Sequence, residues 1–442
     1  MSLSKYAAYK DSGVPWLGEV PSHWSWASLK WISKRYSGGT PDKTKHEYWE
    51  EGTVPWLNSG AVNDQKITEP SAYITEQAFD ASSAKWIPSG ALVMALAGQG
   101  KTKGMVAQVL FQTTCNQSMA AIVPSTEVCE RYLYWWLVRN YQNIRNMAGG
   151  DLRDGLNLEL LGSIPCPLPL VTEQSAIAAF LDRETGKLDE LIAEQEKLLA
   201  LLAEKRHATI SQAVTTGLNP DAAMKDSCVE WLGEVPAHWE IAKVSKSTTK
   251  ITNGYVGPTR DILVDDGVPY IQATHIKGGQ IRFGNDYFVR VEWSQRHSKS
   301  ILSLGDVLIV QTGAGTGDIG LVSSNEVGFN CHALIILSPD RNKLDGAYLA
   351  QVLKSSYGQT KLTSIQTGAM HPHLNCGEVK FVDIPVPPLI EQFAISEFLE
   401  RMDRRYDGLV AESKCSAKLL KERRSALIAA AVTGKIDVRK SA

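Results

Sequence analysis

Lys10-Asp11-Ser12-Gly13-Val14-Pro15-Trp16-Leu17-Gly18-Glu19-Val20-Pro21-Ser22-His23-Trp24 returns as Lys225-Asp226-Ser227-Cys228-Val229-Glu230-Trp231-Leu232-Gly233-Glu234-Val235-Pro236-Ala237-His238-Trp239. A spacing of about 215 residues is too long for a solenoid module and long enough for a whole domain, so the chain reads as two copies of one unit related by a pseudo-twofold axis.

The echo runs to the end of each half. Val54-Pro55-Trp56 matches Val268-Pro269-Tyr270, and Gly90 to Val93 matches Gly305 to Leu308. Asn116 falls opposite Asn330, Leu156-Asn157 opposite Leu374-Asn375, and Ile164-Pro165 opposite Ile384-Pro385. From Glu173-Gln174 and Glu391-Gln392 the offset stays at 218 through Ala213-Val214-Thr215 and Ala431-Val432-Thr433. A stretch without insertions or deletions is one whose length matters, whereas the drifting middle of each half suits two different readers in a constant frame.

The 442 residues are enough for two to four domains, and 43% hydrophobic with 21% charged residues is the composition of a soluble globular protein. No apolar run approaches a membrane span, and Met1 to Lys10 lacks the apolar stretch of a signal peptide. Seven scattered cysteines without a Cys-x-x-Cys pair fit free thiols in a reducing cytoplasm. His371 and His373 flank Pro372 without further ligands nearby in sequence, so no metal is expected there. With 46 Lys plus Arg against 48 Asp plus Glu, the chain is not a generic nucleic-acid coat. A reader with its cations gathered on one face is compatible with that balance.

Each half reads as a mixed globular region followed by one long helix. Ile177, Leu181, Leu188, Leu191, Leu198 and Leu202 are spaced by threes, fours and sevens, and Ile395, Leu399, Met402, Tyr406, Leu409, Leu420 and Leu427 form the second stripe. Glu184, Gln195, Lys205, Ser413 and Arg423 interrupt these stripes. The expectation is that the two helices pack on each other, antiparallel, through these residues; packing of each on its own globular region is the alternative. Pro165, Pro167 and Pro169, and Pro385, Pro387 and Pro388, exclude an earlier helix start, which Thr172 suits. Glu130 to Arg139 and Asp345 to Leu353 look helical, and Ala91 to Ala95 and Asp306 to Val310 look like strands. The fold class is therefore α+β, two mixed α/β regions joined by two long helices in an antiparallel coiled coil.

Ala95 to Thr102 satisfies the permissive P-loop pattern, but Lys103 to Ala107 resumes as a strand and the second copy, Gln311 to Gly317, has no lysine. A Gly-rich hairpin able to approach phosphate is the better reading. No Asn/Asp-Pro-Pro-Tyr/Phe loop, nuclease carboxylate cluster, Gly-x-Ser-x-Gly elbow or His-Glu-x-x-His site is present, so no catalytic residue is assigned. The tryptophans of the repeated element read as hydrophobic anchors, with His23 and His238 as satisfied structural residues. Candidates for reading DNA are the polar loop residues Asn58, Ser59, Gln99, Lys101, Lys103, Asn116, Gln117 and Arg153, with Gln272, Thr274, His275, Lys277, Thr312, Gln366, His371 and His373 in the second half.

The repeat, the Ile-Pro-x-Pro approach to a Glu-Gln helix start and the Ala-Val-Thr helix end together resemble the DNA specificity subunit of type I restriction-modification systems, over essentially the whole chain. The resemblance implies two target-recognition domains, 1–170 and 218–388, and two conserved helical regions, 171–217 and 389–442. Each recognition domain would bind one half of a split, asymmetric sequence in double-stranded DNA, with the helix pair setting the gap. It also implies docking of two modification (methyltransferase) subunits and two restriction (ATP-dependent translocase/nuclease) subunits. S-adenosylmethionine, ATP and magnesium would then sit on those partners, with no cofactor on this chain. A duplicated coiled-coil adaptor without DNA specificity, and an autonomous ATPase or methyltransferase, are the competing classes.

Overall fold

Short apolar runs closed by glycine turns make strands, and the two proline-free stretches make helices of 46 and 44 residues, Val171–Thr216 and Leu389–Val432. The architecture is that of a computed structural model, which describes residues 4–98, 101–147, 155–284, 286–313, 315–368 and 372–440. The contacts divide it into two compact units, one of Met1–Gln195 with Cys415–Ala442, the other of Glu196–Lys414.

In the first unit a sheet runs in the order Ser33–Ser37, Met119–Pro124, Leu92–Ala95, Val106–Val109, Lys66–Ile67; its last pairing is parallel and the others antiparallel. The second unit repeats four of these strands in the same order, Thr248–Asn253, Leu334–Pro339, Val307–Val310, Ile319–Leu321, all antiparallel. The central strand is buried on both faces, which is why its sequence is continuously apolar. Its two-residue period feeds two cores. Leu92 and Met94 join Trp24, Trp135 and Trp136, while Val93 and Ala95 join Leu57 and Ile87. Val307 and Ile309, against Leu308 and Val310, repeat the division.

A smaller layer pairs Val54–Leu57 in parallel with Thr114–Cys115, and Val268–Ile271 in parallel with Asn330–Cys331. Trp56 lies opposite Thr114 and Tyr270 opposite Asn330, so the structural counterpart of Asn330 is Thr114. The counterpart of Asn116 is His332; their N–H groups donate to Leu57 O and Ile271 O at 3.0 and 2.8 Å. The sequence pairing of Asn116 with Asn330 is thus corrected by two residues.

Each unit takes its core from both long helices. The first combines Ile177, Ala178 and Leu181 with Ile428, Ala431 and Val432; the second combines Ile395 and Leu399 with Ile210, Ala213 and Val214. The C-terminal end of each helix therefore completes the unit to which the other helix is attached by sequence. Gly217 and Gly434 end these helices at φ 74° and 71°. Cβ atoms built at them would stand 3.1 Å from Trp239 Cζ2 and 3.1 Å from Trp24 Cη2, so left-handed glycine caps rest on the repeated tryptophans.

The helix segments within each unit run antiparallel, tied in the first by Arg424 to Asp189 at 2.7 and 3.1 Å and in the second by Arg206 to Asp407. These bonds are copies at the 218-residue offset. Arg206 also meets Asp403, at 3.5 Å, and Thr209 bonds the Tyr406 hydroxyl at 2.9 Å. Such part-exposed pairs stabilise by about 1 kcal/mol or less, but they fix register and direction.

The buried and half-buried positions trace a heptad seam through Leu181, Thr185, Leu188, Ile192, Gln195, Leu199, Leu202, Arg206, Thr209 and Ala213. The same frame shifted by 218 runs through Leu399, Asp403, Tyr406, Val410, Ser413, Ala417, Leu420, Arg424, Leu427 and Ala431. The expected stripe was partly misphased. Leu191, Leu198 and Leu409 are 50%, 41% and 40% exposed and off the seam, because the true frame runs through their neighbours Ile192, Leu199 and Val410 and admits polar residues. Gln195 and Ser413 lie on it, while Lys205 and Arg423 are exposed. Ile177 and Ile395 serve the unit cores; Leu188, Leu202 and Tyr406 are buried; Met402, Leu420 and Leu427 are half-buried. The first turns thus pack on the local body and later turns on the other helix, so both expectations hold for different parts of one helix.

Candidate nucleic-acid interface

The frame that positions the loops is built around the Glu-Gln pair opening each long helix. Glu173, 3% exposed, accepts hydrogen bonds from Tyr6 Oη at 2.6 Å and Trp24 Nε1 at 3.1 Å, and His23 Nε2 lies 2.9 Å from its other oxygen. Burial, reinforced by the bond to Glu173, pushes the Tyr6 hydroxyl far above its ordinary pKa, so it remains a donor. In the second unit Glu391 accepts from Trp239 Nε1 at 2.9 Å and meets His238 Nε2 at 2.7 Å. The histidines are structural, as the repeat suggested. Their invariance between the copies is explained by one carboxylate that latches the repeat to the helix start.

The glutamine beside it does a second job. Gln174 accepts from Cys129 N and donates to Glu127 O and Pro169 O; Gln392 accepts from Asp345 N and donates to Lys343 O and Pro387 O. Each amide joins the proline-rich approach to the start of the helix Glu130–Arg139 or Gly346–Lys354. The long helices begin at Val171 and Leu389, the first one residue ahead of the Thr172 expected from sequence.

Held by this frame, the Gly-rich hairpins form as expected, between antiparallel strands with no helix after the Gly-Lys-Thr segment. Leu156 N donates to Leu96 O and Leu374 N to Gln311 O, which brings a second loop against each hairpin. Asn157 and Asn375 then cap the short helices that follow, accepting from Leu160 N and Glu378 N. A third element, the helix after the main one, closes on the hairpin. In the first unit Tyr141 Oη donates to Lys101 O and receives Arg145 Nη1 at 2.8 Å; in the second Gln359 Nε2 donates to Gly317 O at 3.1 Å.

The expected DNA-reading residues fall into distinct groups. Lys101, Thr274, Lys277 and Thr312 are exposed and available, and Gln117 is exposed with its amide oxygen accepting from Thr40 Oγ1. Thr312, Gln366 and His373 are brought together, since His373 bridges both Thr312 and Thr367. Asn58 is exposed, with its side chain turned to Gly60 N as the cap of a 3-10 turn that begins at the half-buried Ser59. Asn116 is half-buried and accepts from Ser118 N. Gln272 is half-buried, and its backbone N–H donates to Nδ1 of His275.

Two assignments are corrected. Lys103 is only 3% exposed and His275 only 4%, so neither side chain is free to reach a groove; Nδ1 of His275 is taken up by Gln272 N. Gln99, Arg153 and His371 lie outside the described residues. Sequence reasoning missed Tyr141, Arg145 and Gln359. The spacing of Tyr141 and Arg145 by four on one helical face was the available signal.

None of the described helices is long and apolar enough to cross a membrane. Residues 21–200 and 239–414 match the family model described as "Type I restriction modification DNA specificity domain". The specificity subunit of the type I restriction enzyme EcoR124I/EcoR124II of Escherichia coli is 30% identical over 188 residues, 41% of this chain and 45% of that subunit. The match thus spans less than half of that relative's length. The MjaVIII specificity subunit of Methanocaldococcus jannaschii is 22% identical over 312 residues, 70% of each chain. A chain from a solved type I R-M system, studied for complex assembly and conformational transition, superposes with a TM-score of 0.71 at 17% identity, covering 93% of this chain and 98% of its own. That likeness speaks for the fold. With the family's domain matched twice across most of its length, this chain belongs to the type I restriction-modification DNA specificity family.

Proposed function

We propose that this chain is the sequence-reading subunit of a type I restriction-modification complex. Each recognition domain, 1–170 and 218–388, reads one half of a bipartite asymmetric site in duplex DNA. The helical regions 171–217 and 389–442 set the gap. Two modification subunits dock on it, and two restriction subunits join them. Methyl transfer and ATP-driven work belong to those partners, which carry the S-adenosylmethionine, ATP and magnesium.

The observation that carries this reading is the contrast between the fixed 218-residue register of the helices and the unlike loops they position. A ruler needs an invariant length: 46 residues at 1.5 Å rise give a helix about 69 Å long. Half-sites on a duplex are read only at a matching separation and phase.

Co-expression with the candidate modification subunit, followed by single-molecule mapping of adenine methylation, tests it. A two-part motif with a constant gap is expected. A stable complex that adds no methylation shifts the reading to a protein-binding adaptor. Inserting one helical turn into each long helix lengthens each by about 5 Å and is expected to change the gap while leaving both half-sites intact. An unchanged gap removes the ruler.

A further inference from the structure

The two hairpins meet the same neighbours with opposite charge. In the first unit a cleft of about 600 Å³ opens beside the hairpin, lined among others by Gln65, Lys101, Tyr134, Tyr141 and Arg145, with no carboxylate in its lining among the described residues. Lys101 is exposed at its rim. Arg145 is oriented by its bond to Tyr141, which is itself anchored on the Lys101 carbonyl, so the two cations are held as one assembly on a loop and the helix beside it. Arg424 also lines the cleft, but its guanidinium is engaged by both oxygens of Asp189.

The second unit builds the same tie from neutral groups, Gln359 to the Gly317 carbonyl. Its hairpin carries no cation between Gln311 and Asp318, and the one charged residue there is exposed Asp318. Lys361, on the corresponding helix, lies 4.8 Å from the centre of the Trp231 ring.

We propose that the first unit grips a DNA backbone phosphate at the Lys101–Arg145 cleft, and that the hairpin of the second unit, lacking this anchor, makes its contacts through neutral polar groups. The proposal rests on the DNA-reading function above and adds an asymmetry within it: of the two hairpins, the first alone carries a phosphate anchor. Arg presents a fork of donors to a phosphate, and Lys a mobile point charge. Tyr134 and Tyr141 supply ring surface against sugar or base.

The test is the salt dependence of binding by the full complex with its modification subunit, using a duplex that carries the methylation-mapped motif and a random duplex of equal length. Each neutralised phosphate contributes about −0.9 to the slope of log K against log salt concentration. Lys101→Gln and Arg145→Gln are each expected to reduce the slope by about one and to weaken both duplexes alike; Arg145→Lys should keep it. Lys361→Gln should leave the slope unchanged, and Asp318→Lys should raise it by about one. Unchanged slope in Lys101→Gln, whose exposed side chain leaves folding intact, overturns the proposal. So does an equal loss in Lys361→Gln. Failure of the unaltered complex to prefer its motif over random duplex is a separate result, which removes the DNA reading and this proposal with it.

Discussion

Glu173 and Glu391 occupy the same place in the two copies and latch the same Trp and His, yet one is buried with three donors and the other is 41% exposed with two. The added donor is Tyr6, which also shields the carboxylate. One motif can therefore carry unequal energetic weight, because burial, rather than the number of bonds, sets what an unpaired donor costs.

The largest expected effect breaks that pair apart. Glu173→Ala strands the donors of Tyr6, Trp24 and His23 in or near the core and should destabilise the first unit by about 3 kcal/mol or more. Glu391→Ala strands only the buried Trp239 indole N–H, since His238 is already exposed to water, and a smaller loss of about 2 kcal/mol is expected. Denaturant midpoints read separately from Trp24 and Trp239, for instance by indole hydrogen exchange, measure both; equal losses would make burial irrelevant here.

The glutamines sharpen the comparison from the other side. Gln174 and Gln392 are 1% and 0% exposed and make matching bonds, so alanine at either should cost about the same, on the order of 2 kcal/mol. A clear difference would show that the frames are not energetically equivalent.

The smallest effect is one of pH. Burial lowers the pKa of His332 below the ordinary histidine value, partly offset by its backbone bond with Tyr255, whereas its counterpart Asn116 does not titrate. A lowered folded-state pKa means that unfolding takes up a proton. The stability it contributes is present above about pH 6.5, the unfolded value, and is lost as pH falls below it through the lower folded-state pKa. Acidification from about pH 7 to about pH 5 should lower the second unit's midpoint through this group, and His332→Asn should remove that part of the dependence.

What was legible in the sequence follows from the same physics. Trp24, His23, Glu173 and Gln174 repeat because each makes bonds that no other side chain reproduces at that geometry. Asn157 and Asn375 were aligned correctly for the same reason, as helix caps. Asn116 and Asn330 misled because the two amides do unrelated work, Asn330 bonding Ser294 Oγ at 3.1 Å and Asn116 its own turn. The better marker was Cys115 with Cys331, whose carbonyls receive Gly39 N and Tyr255 N and whose thiols burial pushes up to about 12 in both units.

The helix stripe was harder to phase, since Leu198 and Leu409 look like core residues and Arg206 and Arg424 do not. Only the ion pairs reveal that the arginines lie on the seam. The site was the least legible part. Arg145 gains its meaning from a tyrosine hydroxyl and a distant carbonyl, a conjunction that no spacing in the chain announces.

The completion of each core by the far end of the other helix has a bearing on biosynthesis. A ribosome making this chain emits Trp24, Trp135 and Ile177 early, but the Ile428, Ala431 and Val432 that close over them emerge last. The second unit already has its Ile210, Ala213 and Val214 when its body appears. Vectorial synthesis then implies that the half made first is the half finished last, with an open apolar face to be sheltered for most of translation.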